Sequence, residues 1–283
     1  MKHIKKYNKY YCTSKDKLVS GELFPIYFNN SQTVAKTKVT EGEDMYRFYK
    51  SNEYHSHLKK ARDFTSFIYF NVRKILFRYK YNIISNLQKD LKVLDYGCGN
   101  GDFLNFLNRK KINCMGIEKS LYSQKVCRSK GLRVFSAASK LDQSNFNVIT
   151  LWHVLEHVNS PKNCIRVLSS LLINEGFMII AVPNIQSADS QIFKHDWAGL
   201  DVPRHLWHFT SKGLVDLLAK EGFSLVRKRP LIFDAYYISL LSARRKKIIF
   251  PWLIAIIVGT LSNIIGLING NYSSSIFVFK KST

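Results

Sequence analysis

The sequence predicts an α/β protein whose mostly parallel sheet is covered by helices on both faces. Three observations carry that expectation. Short apolar runs alternate with segments of helical period between residues 92 and 223, the pattern of parallel strands joined by crossovers. A glycine-rich turn, "YGCGNG" at 96–101, leads from the first apolar run into a helical segment. Glu118 ends the second run, 23 residues after Asp95 closes the first.

The elements follow in order. Residues 1–45 are rich in Lys, Asn, Ser and Thr and weakly periodic, and read as an irregular N-terminal arm. Residues 46–90 are aromatic and basic; Phe67, Phe70, Ile75, Phe77 and Ile83 recur at helical spacing and predict a helical cap. The core, 91–229, opens with "KVLDYG" (92–97) as a strand, "GDFLNFLNRK" (101–110) as a helix and "INCMGIE" (112–118) as a second strand. "NVITLW" (147–152) is a third. "SPKNCIRVLSSLLINEG" (160–176) predicts a helix with Ser160 as N-cap, Pro161 at the first position and Gly176 as terminator. "FMIIAVPN" (177–184) is a fourth strand, and "TSKGLVDLLAKEGF" (210–223) a helix with Leu214, Leu217 and Leu218 on one face.

Residues 230–272 pose a separate question. "ARRKK" (243–247) precedes 21 mostly apolar residues, "IIFPWLIAIIVGTLSNIIGLI" (248–268), long enough to span a bilayer. Yet "SSSIFVFKK" (273–281) reads as one more strand, which a span would leave on the wrong side of the membrane. A helical hairpin or interfacial helix is expected instead, with ARRKK against anionic headgroups. A lid over a hydrophobic pocket and a contact with a second subunit are the alternatives.

With 46% hydrophobic residues, an ordinary packed core is expected. The net charge of +23 is spread along the chain, and suits anionic partners, nucleic acid or lipid. Five cysteines, an odd number without a C-x-x-C pair, argue against a disulfide framework or zinc ribbon and suit a reducing compartment. The start, "MKHIKKYNKYYC", carries no apolar core of a secretory signal, so a cytoplasmic location is expected.

Gly97, Gly99 and Gly101 let the backbone turn tightly at a helix N-terminus and approach a ligand. The spacing departs from the G-x-G-x-x-G of pyrophosphate loops, and Asp95 beside it suits a ligand with an ammonium group better than one with phosphates. Glu118 is placed to accept hydrogen bonds from a ribose diol. His153, Glu156 and His157 spell H-x-x-E-H, a zinc-protease signature on a long helix, but only about one turn fits between Trp152 and Pro161.

"VLDYGCGNGDFL" resembles the first motif of class I S-adenosylmethionine-dependent methyltransferases. "FNVITLWHVLEHV" resembles the fourth-strand motif of their branch related to quinone-biosynthesis O-methyltransferases. The resemblance implies a seven-stranded Rossmann-like sheet (91–229 plus a last strand at 273–283) and S-adenosyl-L-methionine as cofactor. It places Asp95, Gly97, Cys98, Gly99, Gly101, Glu118, Trp152 and His153 around the donor. "HDWAGLDVPRHLWHFTSKGL" (195–214) resembles a segment of a bacterial group of these enzymes, and makes His205 the candidate base, with His157 as a second catalytic candidate. The arm resembles a zinc-ribbon-like arm of the same group, of whose cysteines only Cys12 remains. Acidic residues near position 153 are implicated in holding a divalent ion in quinone-type relatives. Position 153 is His here, and no metal is assigned.

The apolar caps imply a hydrophobic acceptor, such as a quinone-like phenol or a lipid-linked sugar, methylated by in-line transfer at the inner face of the membrane, with 243–268 in peripheral contact. An RNA methyltransferase is the first alternative, though no RNA-binding module and no N/D-P-P-[FYW] motif is present, and DNA is not expected. A non-catalytic, membrane-associated binding protein is the second.

Overall fold

The computed structural model describes residues 7–49, 64–141 and 145–282, with side chains of the first long helix from Val72 onward. The part of the expected cap at 50–63, and the side chains of Phe67 and Phe70, lie outside the described residues.

The arm is not irregular. It forms an antiparallel meander, β1 (Tyr7–Lys15), β2 (Leu23–Asn29) and β3 (Val34–Thr37). Phe24 and Ile26 alternate inward on β2, and Phe48 packs edge-on against Phe24. Side chains rather than apolar periodicity set the turns: Asp16 accepts from the backbone N–H of Leu18, Val19 and Ser20, and Asn29 from Thr33 and Val34. Lysines and tyrosines between the buried positions blur the two-residue rhythm in the sequence.

Helix α1 (Phe64–Ser85) follows. Phe77 packs on Phe103 and Phe106, and Ile83 is buried, but Ile75, expected on the same face, is 50% exposed. The core then runs β4 (Lys92–Tyr96), α2 (Asp102–Arg109), β5 (Asn113–Ile117), α3 (Leu121–Ser129), β6 (Val134–Phe135), β7 (Phe146–Trp152), α4 (Pro161–Leu171) and β8 (Leu172–Pro183). After α5 (Ala188–Phe193) come β9 (Trp207–Phe209), α6 (Ser211–Ala219) and β10 (Phe223–Pro230). Then α7 (Ile232–Arg245), α8 (Pro251–Asn269) and β11 (Ser274–Lys281) close the chain.

The main sheet has the order β10-β11-β8-β7-β4-β5-β6. Strands β4 to β8 pair in parallel, and β11 runs antiparallel to both β8 and β10. The strand order reverses at β4, and the crevice at the carboxyl end of such a switch point is where open α/β sheets bind ligands. Strand β9 edges the arm, making a second sheet β1-β2-β3-β9, and also bridges to Asn184 beyond β8. The arm is thereby tied to the rim of the crevice.

Ser160 caps α4 and accepts from the Asn163 N–H, with Pro161 in the first turn. Gly176 does not end this helix. The helix stops at Leu171 because Leu172 turns extended, pairs with Phe146 and is buried in the core. Gly176 lies inside β8 at a register shift, where a Cβ would press within 2.8 Å of the Leu172 side chain.

Between β10 and β11 the chain makes a helical hairpin. Helix α8 packs inward through Ala255, Val258, Gly259, Ser262 and Gly266, small residues that let it approach Tyr236 of α7 closely. It is fastened at Asp189, a fully buried carboxylate accepting from Ser262 Oγ, Ser273 Oγ and Trp197 Nε1, each at 2.7 Å.

Candidate active site

The turn from β4 to α2 builds one half of the site. Gly97 has φ +76°, and a Cβ there would stand 2.5 Å from Val154. Gly99 is also left-handed, at φ +55°, but a Cβ would meet nothing within 4 Å. Packing therefore requires the first glycine, while the second faces open space. The Cys98 side chain turns inward over Gly116 and toward Cys127, and burial pushes its thiol far up. What Cys98 offers a ligand is loop backbone, and its own N–H donates to Ile117 O.

Glu118 follows β5. Its Oε2 accepts from Gly99 N at 2.9 Å and its Oε1 from Ser120 N at 2.8 Å. Each oxygen keeps a lone pair for a diol. Asp95 is 2% exposed, accepts from Thr150 Oγ1 at 2.7 Å, and is pushed up to about 6 by burial. Beside it lies a residue that the sequence did not single out, Lys80 of α1. Its ammonium stands 4.3 Å from the Trp152 ring centroid, and burial lowers it to about 8 against the pull of Asp95 and Asp234. The Trp152 Nε1–H is buried without a hydrogen-bond partner. The groups around this turn thus include two acceptor oxygens suited to a diol, a carboxylate suited to an ammonium, and a cation with an orphaned N–H suited to a carboxylate. That set fits a nucleoside carrying an amino acid.

His153 lies at the edge of the neighbouring cavity. Its backbone is left-handed, φ +54°, held by a bond from its N–H to Ala181 O. Its Nε2 is 3.1 Å from Asp234 and its Nδ1 3.4 Å from Glu156. Burial opposes charge there, but the two carboxylates outweigh it and push His153 up to about 10. It is an imidazolium at neutral pH and cannot act as a base. Asp234 was not foreseen either, although an acid within "LIFDAYYI" was a readable oddity.

The cavity measures about 1410 Å³ and reaches from His153 past Asp234, Tyr237, Gly199 and His205 to Arg244 and Lys247. His205 Nδ1 is 2.8 Å from the Gly199 carbonyl, which fixes the proton on that nitrogen and leaves Nε2 as a free acceptor. Burial first, and His157 second, lower His205 to about 4. His157 meets it edge-on at 4.6 Å, with its own Nδ1 held 3.0 Å from Arg204 O.

One ligating atom from each of Glu156, His157 and His205 falls within 4.8 Å of the others. Both Glu156 oxygens are buried without hydrogen bonds, and the surrounding histidines hold the carboxyl below its usual range despite burial. Residues 153–160 form turns, not helix, so the H-x-x-E-H letters do not make a protease zinc face. By donor type the trio suits a proton or a divalent ion, and it includes His205 rather than His153.

Other polar residues of 195–214 are structural. Arg204 is 1% exposed and donates to Asp201 (3.0 and 2.9 Å), Asp16 (3.0 Å) and Phe48 O (3.1 Å), locking the arm to the cavity wall. His208 is bound to Thr37 Oγ1 at 2.9 Å and is lowered to about 3 by burial.

A sheet reversing at β4, an open glycine turn and an acid ending the next strand define a nucleoside-binding α/β fold with an adjoining cavity. Residues 61–228, more than half of the chain, match the model of a family described as methyltransferase domain, and the chain belongs to that family of class I S-adenosylmethionine-dependent methyltransferases. A ubiquinone biosynthesis O-methyltransferase of Pelagibacter ubique is 27% identical over 186 residues, covering 54% of this chain and 77% of the relative. An uncharacterized protein of Methanocaldococcus jannaschii is 26% identical over 175 residues, 61% of this chain and 74% of its own. Among solved structures, an S-adenosylmethionine-dependent methyltransferase from Archaeoglobus fulgidus superimposes with a TM-score of 0.50 at 17% identity, over 77% of this chain and 100% of that one. One from Thermotoga maritima does so with 0.50 at 15% identity, over 77% and 95%. At such identities the structures speak for the fold.

Proposed function

We propose that the protein methylates a hydroxyl group of a hydrophobic, lipid-like acceptor, with His205 as general base. The observation that carries this reading is His205 itself: a neutral imidazole on the cavity wall, its Nδ1–H held by Gly199 O, its Nε2 free, and the ionised Glu156 close by. The 27% identity to a ubiquinone biosynthesis O-methyltransferase supports oxygen as the accepting atom.

On this reading Glu118 accepts from the donor ribose, Asp95 from its ammonium, and Lys80 with the Trp152 N–H takes its carboxylate. Gly97, Gly99 and Gly101 shape the loop around it. S-adenosylmethionine supplies an electrophilic sulfonium methyl. Much of the acceleration comes from holding donor and acceptor in line. His205 Nε2 receives the hydroxyl proton, and Glu156 and Asp201 favour the imidazolium that results. His153, already charged, orients Asp234 at the boundary of the two pockets. His157 packs edge-on against the base and keeps its ring in place. Chemistry of this kind suits a cytoplasmic enzyme working at the inner membrane face, with 243–268 in contact with lipid.

The test is His205→Gln with an alkyl-chain dihydroxybenzoate as acceptor, followed by release of S-adenosylhomocysteine. Loss of the base lowers kcat by about 10²- to 10⁴-fold, while donor affinity stays within about twofold. Full turnover in the variant would remove His205 from the mechanism.

A further inference from the structure

The outward face of α8 reverses the usual amphipathic order. Its small residues point inward, while Trp252, Leu253, Ile256, Ile257, Ile264 and Leu267 are exposed. Just before it Ile249 is 85% and Phe250 58% exposed. An apolar surface this continuous marks an interaction site. The helix is long and apolar enough to cross a membrane, with a mean hydropathy of 2.0. Its fastening forbids that. Ser262 is bonded to Asp189 in mid-helix, and β11 returns at once to pair with β8. It can only lie flat.

Charge selects the occupant. Arg244, Lys246 and Lys247 precede the apolar stretch, no Asp or Glu follows Asp234, and the chain carries +23. A second copy would bring the same positive face, whereas an anionic bilayer complements it.

The cavity mouth carries the same sign. Every acid lining it is matched to a cation: Asp16 to Arg204, Asp201 to Arg204 and Arg245, Asp234 to His153. Lys17 is spent on Asp196. Lys15, Arg244 and Lys247 also line the cavity, and among the described residues none of their side chains has an ion-pair or hydrogen-bond partner. Arg244 and Lys247 stand at the turn from which the apolar face of α8 departs. The walls between them and His205 include Ile238, Leu241 and Ala198.

We infer that this corner is one bipartite lipid site: Lys15, Arg244 and Lys247 hold the phosphate or carboxylate headgroup of an anionic membrane lipid, and the outward face of α8 rests in the bilayer interface. The inference rests on the cavity being the acceptor pocket. It makes the acceptor class an anionic amphiphile delivered from the membrane, not a neutral molecule captured from solution.

Vesicle flotation and calorimetry test it. The full chain is expected to float with phosphatidylcholine vesicles containing phosphatidylglycerol and not with phosphatidylcholine alone. Ile256→Lys with Ile264→Lys should abolish flotation, and Arg244→Ala with Lys247→Ala should weaken it at least tenfold, at roughly fivefold per charge removed. Short-chain phosphatidylglycerol below its micelle concentration should bind the wild type more tightly than inorganic phosphate and lose that advantage in the Arg244→Ala/Lys247→Ala variant. Equal flotation with both vesicle types, or equal affinity for phosphate and short-chain lipid, overturns the inference. S-adenosylmethionine titrated into the same preparations keeps the two readings apart: donor binding without lipid binding defeats only this proposal, and absence of donor binding defeats the methyltransfer reading instead.

Discussion

Replacing Glu118 by Ala isolates the donor half of the site. In the wild type each carboxylate oxygen spends one lone pair on the backbone, Oε2 on Gly99 N at 2.9 Å and Oε1 on Ser120 N at 2.8 Å, and keeps one that the proposed reading gives to the ribose diol. Two bonds to a charged acceptor contribute about 1.5–3 kcal/mol each before water reclaims part of the loss. Taking about 3 kcal/mol for the pair gives a donor Kd weaker by about 10²-fold. Glu118→Gln keeps one acceptor oxygen, so its loss should be about tenfold. Calorimetric titration of S-adenosylmethionine and S-adenosylhomocysteine into all three proteins reads this directly. A thermal melt of each shows whether the Gly99 loop survives, and a change of less than about 1 kcal/mol is expected, because water can reach both freed N–H groups. An unchanged Kd in the Ala variant would mean that the ribose is not held at Glu118.

Three further outcomes follow from neighbouring groups. Burial raises Asp95 to about 6, and its ionised form is the one that meets an ammonium, so donor affinity should fall about tenfold per pH unit below 6, level off between 6 and 8, and decline again as Lys80 loses its proton. Since its folded pKa lies above the unfolded one, ionised Asp95 destabilises the fold above pH 6, and Asp95→Asn should gain about 1–3 kcal/mol there while donor binding is lost. Gly97→Ala should cost about 2–4 kcal/mol from left-handed strain and the Val154 clash, whereas Gly99→Ala should cost only the left-handed strain, about 1–2 kcal/mol, and block the donor. Arg204→Met takes the guanidinium from two buried carboxylates, leaving Asp201 with Arg245 and Asp16 with its backbone N–H donors, at a cost of about 3–5 kcal/mol. Differential scanning calorimetry should show Tm lowered by about 6–20 °C, and an unshifted transition would mean the carboxylates find other partners.

Local signals in the chain were legible because one stretch of backbone carries both pattern and purpose. The glycine turn, Asp95 and Glu118 all act within their own strand–turn–helix unit, where spacing alone fixes geometry. Lys80 and Asp234 act across the fold. They come from helices 154 residues apart in the chain, and converge on Trp152 and His153 only because α1 and α7 both pack over the carboxyl edge of the sheet. No period or spacing encodes that meeting. The arm was misread for a related reason: its turns are closed by Asp16 and Asn29 side chains, and one of its carboxylates finds its partner at Arg204, 188 residues away.

Residue type settles even less in the stretch from His153 to His157. Three histidines surround Glu156, and the same imidazole is set to opposite tasks by what else it touches. His153 has a second carboxylate, Asp234, on its far nitrogen, and is held charged. His205 meets a backbone carbonyl and another histidine there, and is held neutral. On the proposed reading only the neutral one can take a proton from an acceptor hydroxyl, while the charged one is confined to holding Asp234. The letters H-x-x-E-H contain His153 but not His205, and it is a second carboxylate on one ring and a carbonyl oxygen on the other that set the two apart.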